Sequence, residues 1–266
     1  MKKMVLVLLA LLMVGSVALA QGTFKVGLEC NYAPFNWTQM NETEFSVPIP
    51  GGGFADGYDV QIAKRIADAL GMELEIVKTE WDGLPMGLMS GKFDAVIAGM
   101  SPTAERKMSI DFSDNYYTSD LVIVVKKDGA YQNATKLADF SGSKITGQLN
   151  TFHYSVIDQI ENVKKATAME TFPAMIVALS AGAVDGYISE RPAAVSAMYS
   201  NDNLTFISFE EGLGFVASQE DTSIAVGLKK GNDELRTSIN EILATISDEE
   251  RQQIMDDAVA RQPLNN

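Results

Sequence analysis

The residues best suited to binding chemistry form one short segment, Gly99-Met100-Ser101-Pro102-Thr103-Ala104-Glu105-Arg106. The segment follows an apolar stretch at 93–98 and supplies hydroxyls, free backbone N–H groups and the guanidinium of Arg106. A guanidinium binds both oxygens of a carboxylate at once, because its N–H donors are fixed in a plane. The segment therefore predicts a site for a small molecule that carries a carboxylate.

Catalytic chemistry has little support in the sequence. His153 is the single histidine and Cys30 the single cysteine, which leaves no residues for a metal cluster or a cysteine–histidine pair. No G-x-S-x-G motif or phosphate-binding loop is present, and Gly51-Gly52-Gly53 lacks the flanking strand and helix of a dinucleotide site. We therefore expect a binding function without a cofactor.

The beginning of the chain has the pattern of a secretory signal peptide. Two lysines precede an apolar run at 4–14, and small residues follow at 18–20. This pattern predicts a cleavable signal at 1–20 and a mature protein that begins near Gln21 in the periplasm. We expect no lipid anchor, because Cys30 lies about ten residues beyond the predicted cleavage point, and no internal disulfide, because Cys30 is the single cysteine.

The charge of the chain limits its partners. Removal of the signal peptide leaves 19 basic and 35 acidic side chains, a net charge of about −16. This charge argues against nucleic acid and anionic membranes as partners. It favours solubility and, secondarily, attraction of cationic solutes.

Apolar stretches of strand length alternate with helical stripes along the whole chain, which predicts an α/β fold. In the first half we expect strands at 24–28, 73–77 and 93–98. A helix over 62–70 should end at Gly71, since glycine is the usual residue at a helix C-terminus. Asp82 is expected to cap a second helix, which ends at Gly91.

The second half repeats this alternation. Strands are expected at 144–146, 184–188 and 224–228, and helices at 172–181 and 235–246. Ser247 and Glu250 predict a capping box at the start of the final helix. The segment 38–56, with two prolines and three consecutive glycines, is expected to be a plain surface connector. Together these elements predict two α/β lobes of similar size.

Short motifs follow one another in a characteristic order: Val26-Gly27, Tyr32-Ala33-Pro34-Phe35, Gly57-Tyr58-Asp59-Val60, Glu80-Trp81-Asp82-Gly83-Leu84, Ser90-Gly91-Lys92-Phe93-Asp94, the segment 99–106, and Gly182-Ala183-Val184-Asp185-Gly186. With them the mature chain resembles, over essentially its whole length, the solute-binding proteins of polar amino-acid ABC importers. The resemblance implies a type II periplasmic-binding-protein fold, in which two three-layer α/β lobes, joined by two hinge strands, close around a free amino acid. It also implies a monomer that delivers this ligand to an ABC permease.

The resemblance further implies where the lobes begin and end. Lobe 1 would contain 21–118 and 222–266, and lobe 2 would contain 119–221. The hinges would lie near 116–120 and 219–223. Both ends of the mature chain would then belong to the same lobe.

By similarity to the family, the ligand carboxylate is held by Arg106. Ser101 and the backbone of Gly99 and Met100 at the strand end would assist it. From the other lobe, Thr151 matches the position that donates a hydroxyl or backbone N–H to the same carboxylate.

Two further positions of lobe 2 follow from the same comparison. Asn150 either joins the site or only shapes its turn, because asparagine is common in turns. Family members place an aspartate for the ligand ammonium five residues after the position of Asp185, where this chain has Glu190. This glutamate is either the ammonium acceptor, reaching one methylene farther, or a surface residue paired with Arg191.

The ligand side chain would meet aromatic and acidic residues of lobe 1. Tyr32 and Trp81 match the positions that sandwich it in relatives. Glu29 matches an acidic position that meets the side-chain head in relatives that bind lysine, arginine or histidine, and sometimes glutamine. We therefore expect a basic ligand, although Ala98 and Gly99 replace serines often found in binders of basic amino acids.

Other interpretations stay open at this point. The ligand could be glutamine or another polar amino acid. An exported enzyme on the same scaffold, similar to cyclohexadienyl dehydratases, would show pH-dependent turnover instead of simple saturable binding. A sensor domain would normally be fused to transmembrane and signalling segments. Phe152 and His153 are expected at the mouth of lobe 2, the histidine in a structural role.

Overall fold

The computed structural model describes residues 22–263, so the predicted signal peptide at 1–20 lies outside the described residues. Strands and helices alternate along most of this range. The strands are β1 (Thr23–Leu28), β2 (Asn31–Tyr32), β3 (Asn36–Gln39), β4 (Val47–Pro48), β5 (Phe54–Asp56), β6 (Glu73–Lys78), β7 (Ala95–Val96), β8 (Ile110–Thr118), β9 (Leu121–Lys126), β10 (Lys144–Thr146), β11 (Lys164–Lys165), β12 (Gly186–Glu190), β13 (Leu204–Ile207) and β14 (Ser223–Lys229).

Helices connect and cover these strands. The α-helices are α1 (Tyr58–Leu70), α2 (Leu84–Ser90), α3 (Ala104–Lys107), α4 (Phe152–Ser155), α5 (Phe172–Ser180), α6 (Arg191–Ser200), α7 (Gln219–Thr222), α8 (Asp233–Leu243) and α9 (Asp248–Arg261). Short 3-10 turns occupy Trp81–Gly83, Leu137–Phe140 and Val156–Gln159. Between residues 22 and 263, no helix has the length and apolar character needed to cross a membrane.

Helix α1 follows directly from its sequence. Apolar side chains at helical spacing, among them Ile62 and Ile66, are fully buried on one face. Gly71 ends the helix with a φ of 67°, a left-handed conformation that glycine adopts without steric cost. The predicted helix and its C-terminal glycine are confirmed.

Two five-stranded sheets share one arrangement. The first has the strand order β6-β1-β7-β14-β8, and the second has the order β11-β10-β12-β9-β13. In each, three parallel strands are followed by a strand that runs antiparallel to the third. The carboxyl ends of the parallel strands lie at one edge of each sheet, which is where open α/β sheets bind ligands. This repeated architecture confirms the prediction of two α/β lobes.

The chain passes between the sheets twice, once after β8 and once before β14. Thr118 pairs with Ser223, and the N–H of Ser119 donates to the carbonyl of Thr222 at 3.0 Å. The two crossing segments therefore lie side by side. They fall within the predicted hinges at 116–120 and 219–223, while hinge motion and the exact lobe boundaries stay predictions.

The segment 38–56 is more than the plain connector predicted for it. It contributes to a third, antiparallel sheet of order β2-β3-β5-β4, in which Trp37 lies opposite Asp56. The sheet was not evident from the sequence, because its strands are short and the prolines and glycines between them indicate turns. The sheet holds β2, and with it Tyr32, beside the carboxyl end of β1.

Two predicted strands begin or end differently in the structure. The strand expected at 93–98 is limited to Ala95–Val96, because the backbone leaves the regular ladder before its left-handed turn at Gly99. The strand expected at 184–188 is shifted to Gly186–Glu190. Asp185 precedes the strand, and its carboxylate accepts a hydrogen bond from the N–H of Lys144 at 2.7 Å.

Two predicted caps also differ. Gly83, not Asp82, precedes α2, and the carboxylate of Asp82 instead accepts a hydrogen bond from Asn150. At α9 the hydroxyl of Ser247 accepts the N–H of Glu250 as predicted. The carboxylate of Glu250, however, pairs with Arg65 at 2.8 Å instead of closing a capping box.

Candidate functional site

Arg106 is held at the interface between the two sheets. It lies on α3, whose N-terminus is capped by the hydroxyl of Thr103. Its Nη1 donates to the carbonyl of Ser101 at 3.0 Å, and its Nη2 donates to the carbonyl of Asn150 at 3.2 Å. Burial lowers the pKa of Arg106 to about 10, so the group is charged at neutral pH. Arg106 is therefore a fixed cation and not a solvated surface residue.

Asn150 joins the two lobes as well as shaping its turn. Its φ of 54° is left-handed, as expected for a turn asparagine. Its carbonyl accepts Arg106 and also the Nε1 of Trp81 at 3.5 Å, and its Nδ2 donates to Asp82 at 2.9 Å. The guanidinium of Arg106 lies 5.0 Å from the centre of the Trp81 ring. Trp81 thus supports the cation, a contact that adds to its predicted place beside a ligand side chain.

The strand end after β7 provides the backbone of the site. Met100 and Ser101 are buried, and the carbonyl of Met100 accepts the N–H of Ala225 at 3.1 Å. Gly99 has a φ of 62°, and a Cβ at this position would lie 2.8 Å from the Tyr32 ring. Glycine is therefore required here for two reasons, its backbone conformation and its lack of a side chain.

Substitution of Gly99 by alanine tests this close approach. Gly71 is a matched control, because its φ is 67° and nothing lies within 4 Å of a Cβ there. We expect Gly71→Ala to lower the free energy of unfolding by about 1 kcal/mol, the cost of the left-handed conformation. Gly99→Ala should lower it by about 2–4 kcal/mol because overpacking adds to that cost. Urea denaturation measures both; equal losses would contradict the steric argument.

Thr151 begins the turn into α4. Its hydroxyl donates to the carbonyl of Gln148 at 2.7 Å and so stabilises the turn itself. Gln148, which was not predicted as a site residue, is buried and donates from Nε2 to Glu29 at 3.3 Å and to the carbonyl of Glu170 at 3.1 Å. A ligand contact of Thr151 stays a prediction, whereas Gln148 links this turn to the end of β1.

Glu190 is the buried anion of the opposite lobe. It ends β12 and is 3 % exposed. Tyr32 donates its hydroxyl to Oε2 at 2.9 Å, and Nε2 of His153 lies 3.6 Å from Oε1. The alternative of a surface glutamate paired with Arg191 is wrong, because Arg191 instead pairs with Asp120 at 3.1 Å. The carboxylate of Glu190 therefore contacts an aromatic residue of lobe 1, Tyr32.

Sequence reasoning missed Phe172, an aromatic residue that packs against both Tyr32 and His153. The ring of Phe172, at the start of α5, stacks on Tyr32 with a centroid distance of 4.2 Å. It also meets the ring of His153 edge to face at 6.1 Å. His153 is 8 % exposed and was expected to be structural. The one sequence feature that could have placed His153 in the site was its position two residues after Thr151, a predicted site residue.

Tyr32 is fully enclosed by these groups. Its ring stacks on Phe35 at 4.9 Å as well as on Phe172, so contacts from both lobes position it. Burial, followed by the charge of Glu190, raises the pKa of the Tyr32 hydroxyl well above its usual range. The hydroxyl therefore stays a proton donor to Glu190 at any physiological pH.

Glu29 lies just beyond β1 and is 3 % exposed. Its Oε2 accepts Gln148, whereas its buried Oε1 has no hydrogen-bond partner among residues 22–263. Burial raises its pKa to about 7. A buried carboxylate with a free acceptor oxygen is costly unless a donor or a cation satisfies it.

The raised pKa of Glu29 predicts a pH-dependent stability. Its solvated value is 4.5 and its folded value about 7, so its stabilising contribution is complete below pH 4.5 and is lost as the pH rises through 7. We therefore compare the free energy of unfolding of Glu29→Gln with that of the native protein at each pH. This difference should favour the variant by about 2–3 kcal/mol more at pH 8 than at pH 4.5. Urea denaturation at both pH values measures this difference. Glu73→Gln is the control, because Glu73 is exposed. A pH-independent difference for Glu29→Gln would contradict the prediction.

A buried network supports both ends of the lobe 1 site. Asp59 accepts the hydroxyl of Tyr116 and the Nδ2 of Asn36, each at 2.7 Å. Tyr116 in turn accepts the N–H of Gly99 at 3.2 Å, and Asn36 accepts the N–H of Cys30, next to Glu29, at 2.8 Å. Burial raises the pKa of Asp59 to about 6. One carboxylate thus positions the strand ends after both β1 and β7.

The assembled site contains a fixed cation and buried anions, brought together by two lobes. Arg106 suits a carboxylate, and Glu190 suits an ammonium group. Among the described residues, no cluster of three or more histidine, cysteine, aspartate or glutamate side chains is arranged to hold a metal ion. The arrangement is suited to holding a small dipolar molecule between the lobes.

Comparison with known proteins agrees with this geometry. Residues 24–258 match the family described as bacterial extracellular solute-binding proteins, family 3. A probable histidine-binding protein of Campylobacter jejuni is 29 % identical over 221 residues, covering 81 % of this chain and 80 % of its own. The arginine-binding extracellular protein ArtP of Bacillus subtilis is 29 % identical over 228 residues, covering 84 % and 80 %.

A solved structure shows the same fold. An amino acid ABC transporter substrate-binding protein from Streptococcus pneumoniae, bound to L-arginine, superposes with a TM-score of 0.77 and 26 % identity, over 90 % of this chain and 94 % of its own. The likeness confirms the two-lobed type II fold expected from the sequence. The chain therefore belongs to family 3 of the bacterial extracellular solute-binding proteins.

Proposed function

We propose that this protein captures a free L-amino acid with a basic side chain, namely lysine, arginine or histidine, and delivers it to an ABC permease. The main observation in support is that Arg106 and Glu190 lie on opposite lobes and that each contacts a residue of the other lobe, Asn150 and Tyr32 respectively. A zwitterion needs a cationic group for its carboxylate and an anionic group for its ammonium. Closure around it pairs both protein charges, so the ligand selects the closed form.

The contacts between the lobes support closure as the capture step. Arg106 donates to the carbonyl of Asn150 and Tyr32 donates to Glu190, so two side chains of lobe 1 contact lobe 2 across the site. These groups meet only when the lobes are together. We propose that the crossing segments at 116–120 and 219–223 act as the hinges of this motion.

Glu29 supports a basic ligand. Its buried Oε1 lacks a partner among the described residues, and the charges of Glu80 and Asp59 add to the negative potential there. A cationic side chain would neutralise this carboxylate, whereas an acidic one would repel it. The names of the histidine-binding and arginine-binding relatives agree with this choice.

A thermal-shift screen of the twenty common L-amino acids tests the proposal. At 1,000 times its dissociation constant, a ligand should stabilise the protein by about 4 kcal/mol. We expect arginine, lysine or histidine to give the largest rise in Tm, and aspartate and glutamate to give none. No shift with any amino acid, or the largest shift with an acidic one, would contradict the proposal.

Glu29→Gln separates selectivity for a basic ligand side chain from affinity for the carboxylate and ammonium that all amino acids share. We expect the variant to bind arginine about tenfold more weakly or worse while binding glutamine within about threefold of the native protein. Titration calorimetry with both ligands measures the ratio. Equal losses for arginine and glutamine would mean that Glu29 helps to bind the carboxylate and ammonium common to all amino acids and does not select a basic side chain.

We propose further that the ligand is released unchanged and that the protein works as a periplasmic monomer, exported by the signal peptide at 1–20. An enzyme of the same scaffold would convert its ligand with a pH-dependent rate. NMR spectra of the amino acid after prolonged incubation with the protein should show the starting compound alone. The mass of the secreted protein, measured with and without ligand, tests the cleavage point and the monomer.

A further inference from the structure

Glu190 already has a titratable neighbour in its own lobe. Nε2 of His153 lies 3.6 Å from Oε1 of Glu190, and both side chains are buried. Nδ1 of His153 has no hydrogen-bond partner among residues 22–263. A protonated imidazole in this position is a counter-cation for the carboxylate.

Other groups also act on this carboxylate. The hydroxyl of Tyr32 donates to it, and the charges of Asp59 and Arg106 and the hydroxyl of Tyr117 interact with it electrostatically. Tyr32 and Tyr117 stay protonated, since the pKa of each is raised chiefly by burial, and Arg106 stays charged. Burial raises the pKa of Asp59 to about 6, and its carboxylate accepts hydrogen bonds from Tyr116 and Asn36.

We propose that His153 and the ammonium group of the amino acid compete for Glu190, so that ligand binding expels a proton from His153. This inference rests on the proposed amino-acid function. The protonated imidazole and the ammonium are both cations, and a buried site that holds both beside one carboxylate carries a like-charge repulsion. Arrival of the ammonium therefore returns the imidazole to its neutral form, and the proton passes to the solvent buffer.

The direction of the pH effect follows. Histidine is the side chain whose charge ordinarily changes between pH 5 and 8. In acid, the protonated His153 pairs with the Glu190 carboxylate and must lose its proton before the ligand ammonium can bind there. This deprotonation costs free energy at low pH and so weakens binding. Affinity is therefore highest above neutrality and falls as the solution is acidified.

The chain offers a direct test, because His153 is its single histidine. The imidazole NMR signal of the untagged protein, labelled with ¹³C, can be titrated with and without L-arginine; should the thermal-shift screen select another amino acid, that amino acid replaces it. We expect saturating ligand to lower the midpoint pH of this signal by about 1 unit, equivalent to about tenfold in affinity. An unchanged or raised midpoint would overturn the proposal.

Calorimetry in buffers of different ionisation enthalpy separates the contribution of His153 from that of Glu29, whose pKa burial raises to about 7. We expect proton release on binding to persist in Glu29→Gln. In His153→Gln it should be smaller than in the native protein, because only Glu29 then releases a proton when a cationic side chain pairs with it, and it should disappear in the double variant. Proton release that is unchanged in His153→Gln overturns the competition while leaving amino-acid binding intact. If the native protein binds none of the twenty amino acids at pH 6 or pH 8, the proposed function fails, and this inference fails with it.

Discussion

Replacement of Arg106 by alanine is expected to weaken the binding of every L-amino acid by about 100-fold or more. The guanidinium is the half-buried cation that the structure fixes between the lobes, through the carbonyls of Ser101 and Asn150. Its removal would leave a ligand carboxylate partly desolvated and without a counter-charge. Titration calorimetry with the amino acids selected by the thermal-shift screen measures the loss, which should be similar for all of them.

Lys107 provides the matched control. It follows Arg106 on the same helix, but its ammonium is exposed and pairs with Glu220 at 2.7 Å. Lys107→Ala removes the same charge and should change affinity by about twofold at most, because exposed ion pairs contribute little. The account would be wrong if Arg106→Ala bound within about threefold of the native protein, or if both variants lost affinity equally.

Replacement of Glu190 by glutamine is expected to have the second-largest effect, a loss of about 30-fold to 1,000-fold in affinity. The amide keeps the shape of the side chain and one acceptor oxygen, so Tyr32 can still donate to it. It lacks the negative charge that would pair with the ligand ammonium. Glu190→Asp keeps the charge but retracts it by one methylene, and we expect a smaller loss for this variant.

Glu210→Gln is the control for charge, since Glu210 is exposed on the same lobe. Its affinity should stay within about twofold of the native value. Urea denaturation of each variant separates a loss of binding from a loss of folding. Affinity of Glu190→Gln equal to that of the control, with the fold intact, would remove Glu190 from the ammonium site.

The architecture was predictable where local signals agree with tertiary structure. The apolar spacing of Ile62 and Ile66 and the glycine at 71 together define α1, and the same alternation recurs through both sheets. The third sheet was not predicted, because its strands span only two to four residues and two of its three connections contain proline or glycine. Such short strands are stabilised by their neighbours and leave almost no periodic pattern.

The two charged ends of the site were also predictable, because a motif places Arg106 and a fixed spacing places Glu190. The structure brings both to the interface between the lobes. Their roles toward a ligand stay predictions. What sequence reasoning missed are the partners across that interface, such as Phe172 against Tyr32 and Gln148 against Glu29.

Those missed contacts share a physical origin. Each joins residues more than one hundred positions apart, and each depends on how far the two lobes close. Local propensity carries no information about such a distance. Asp82 shows the same effect, since its contact with Asn150 of the other lobe replaces the helix cap that its neighbours in sequence predict.

The most direct test of the central claim is a crystal structure of the protein with its selected amino acid. We predict the α-carboxylate within hydrogen-bond distance of the Arg106 guanidinium, and the ammonium within the same distance of the Glu190 carboxylate, both about 3 Å. An amino acid bound outside the interface between the lobes, or one whose charged groups contact neither residue, would contradict the account.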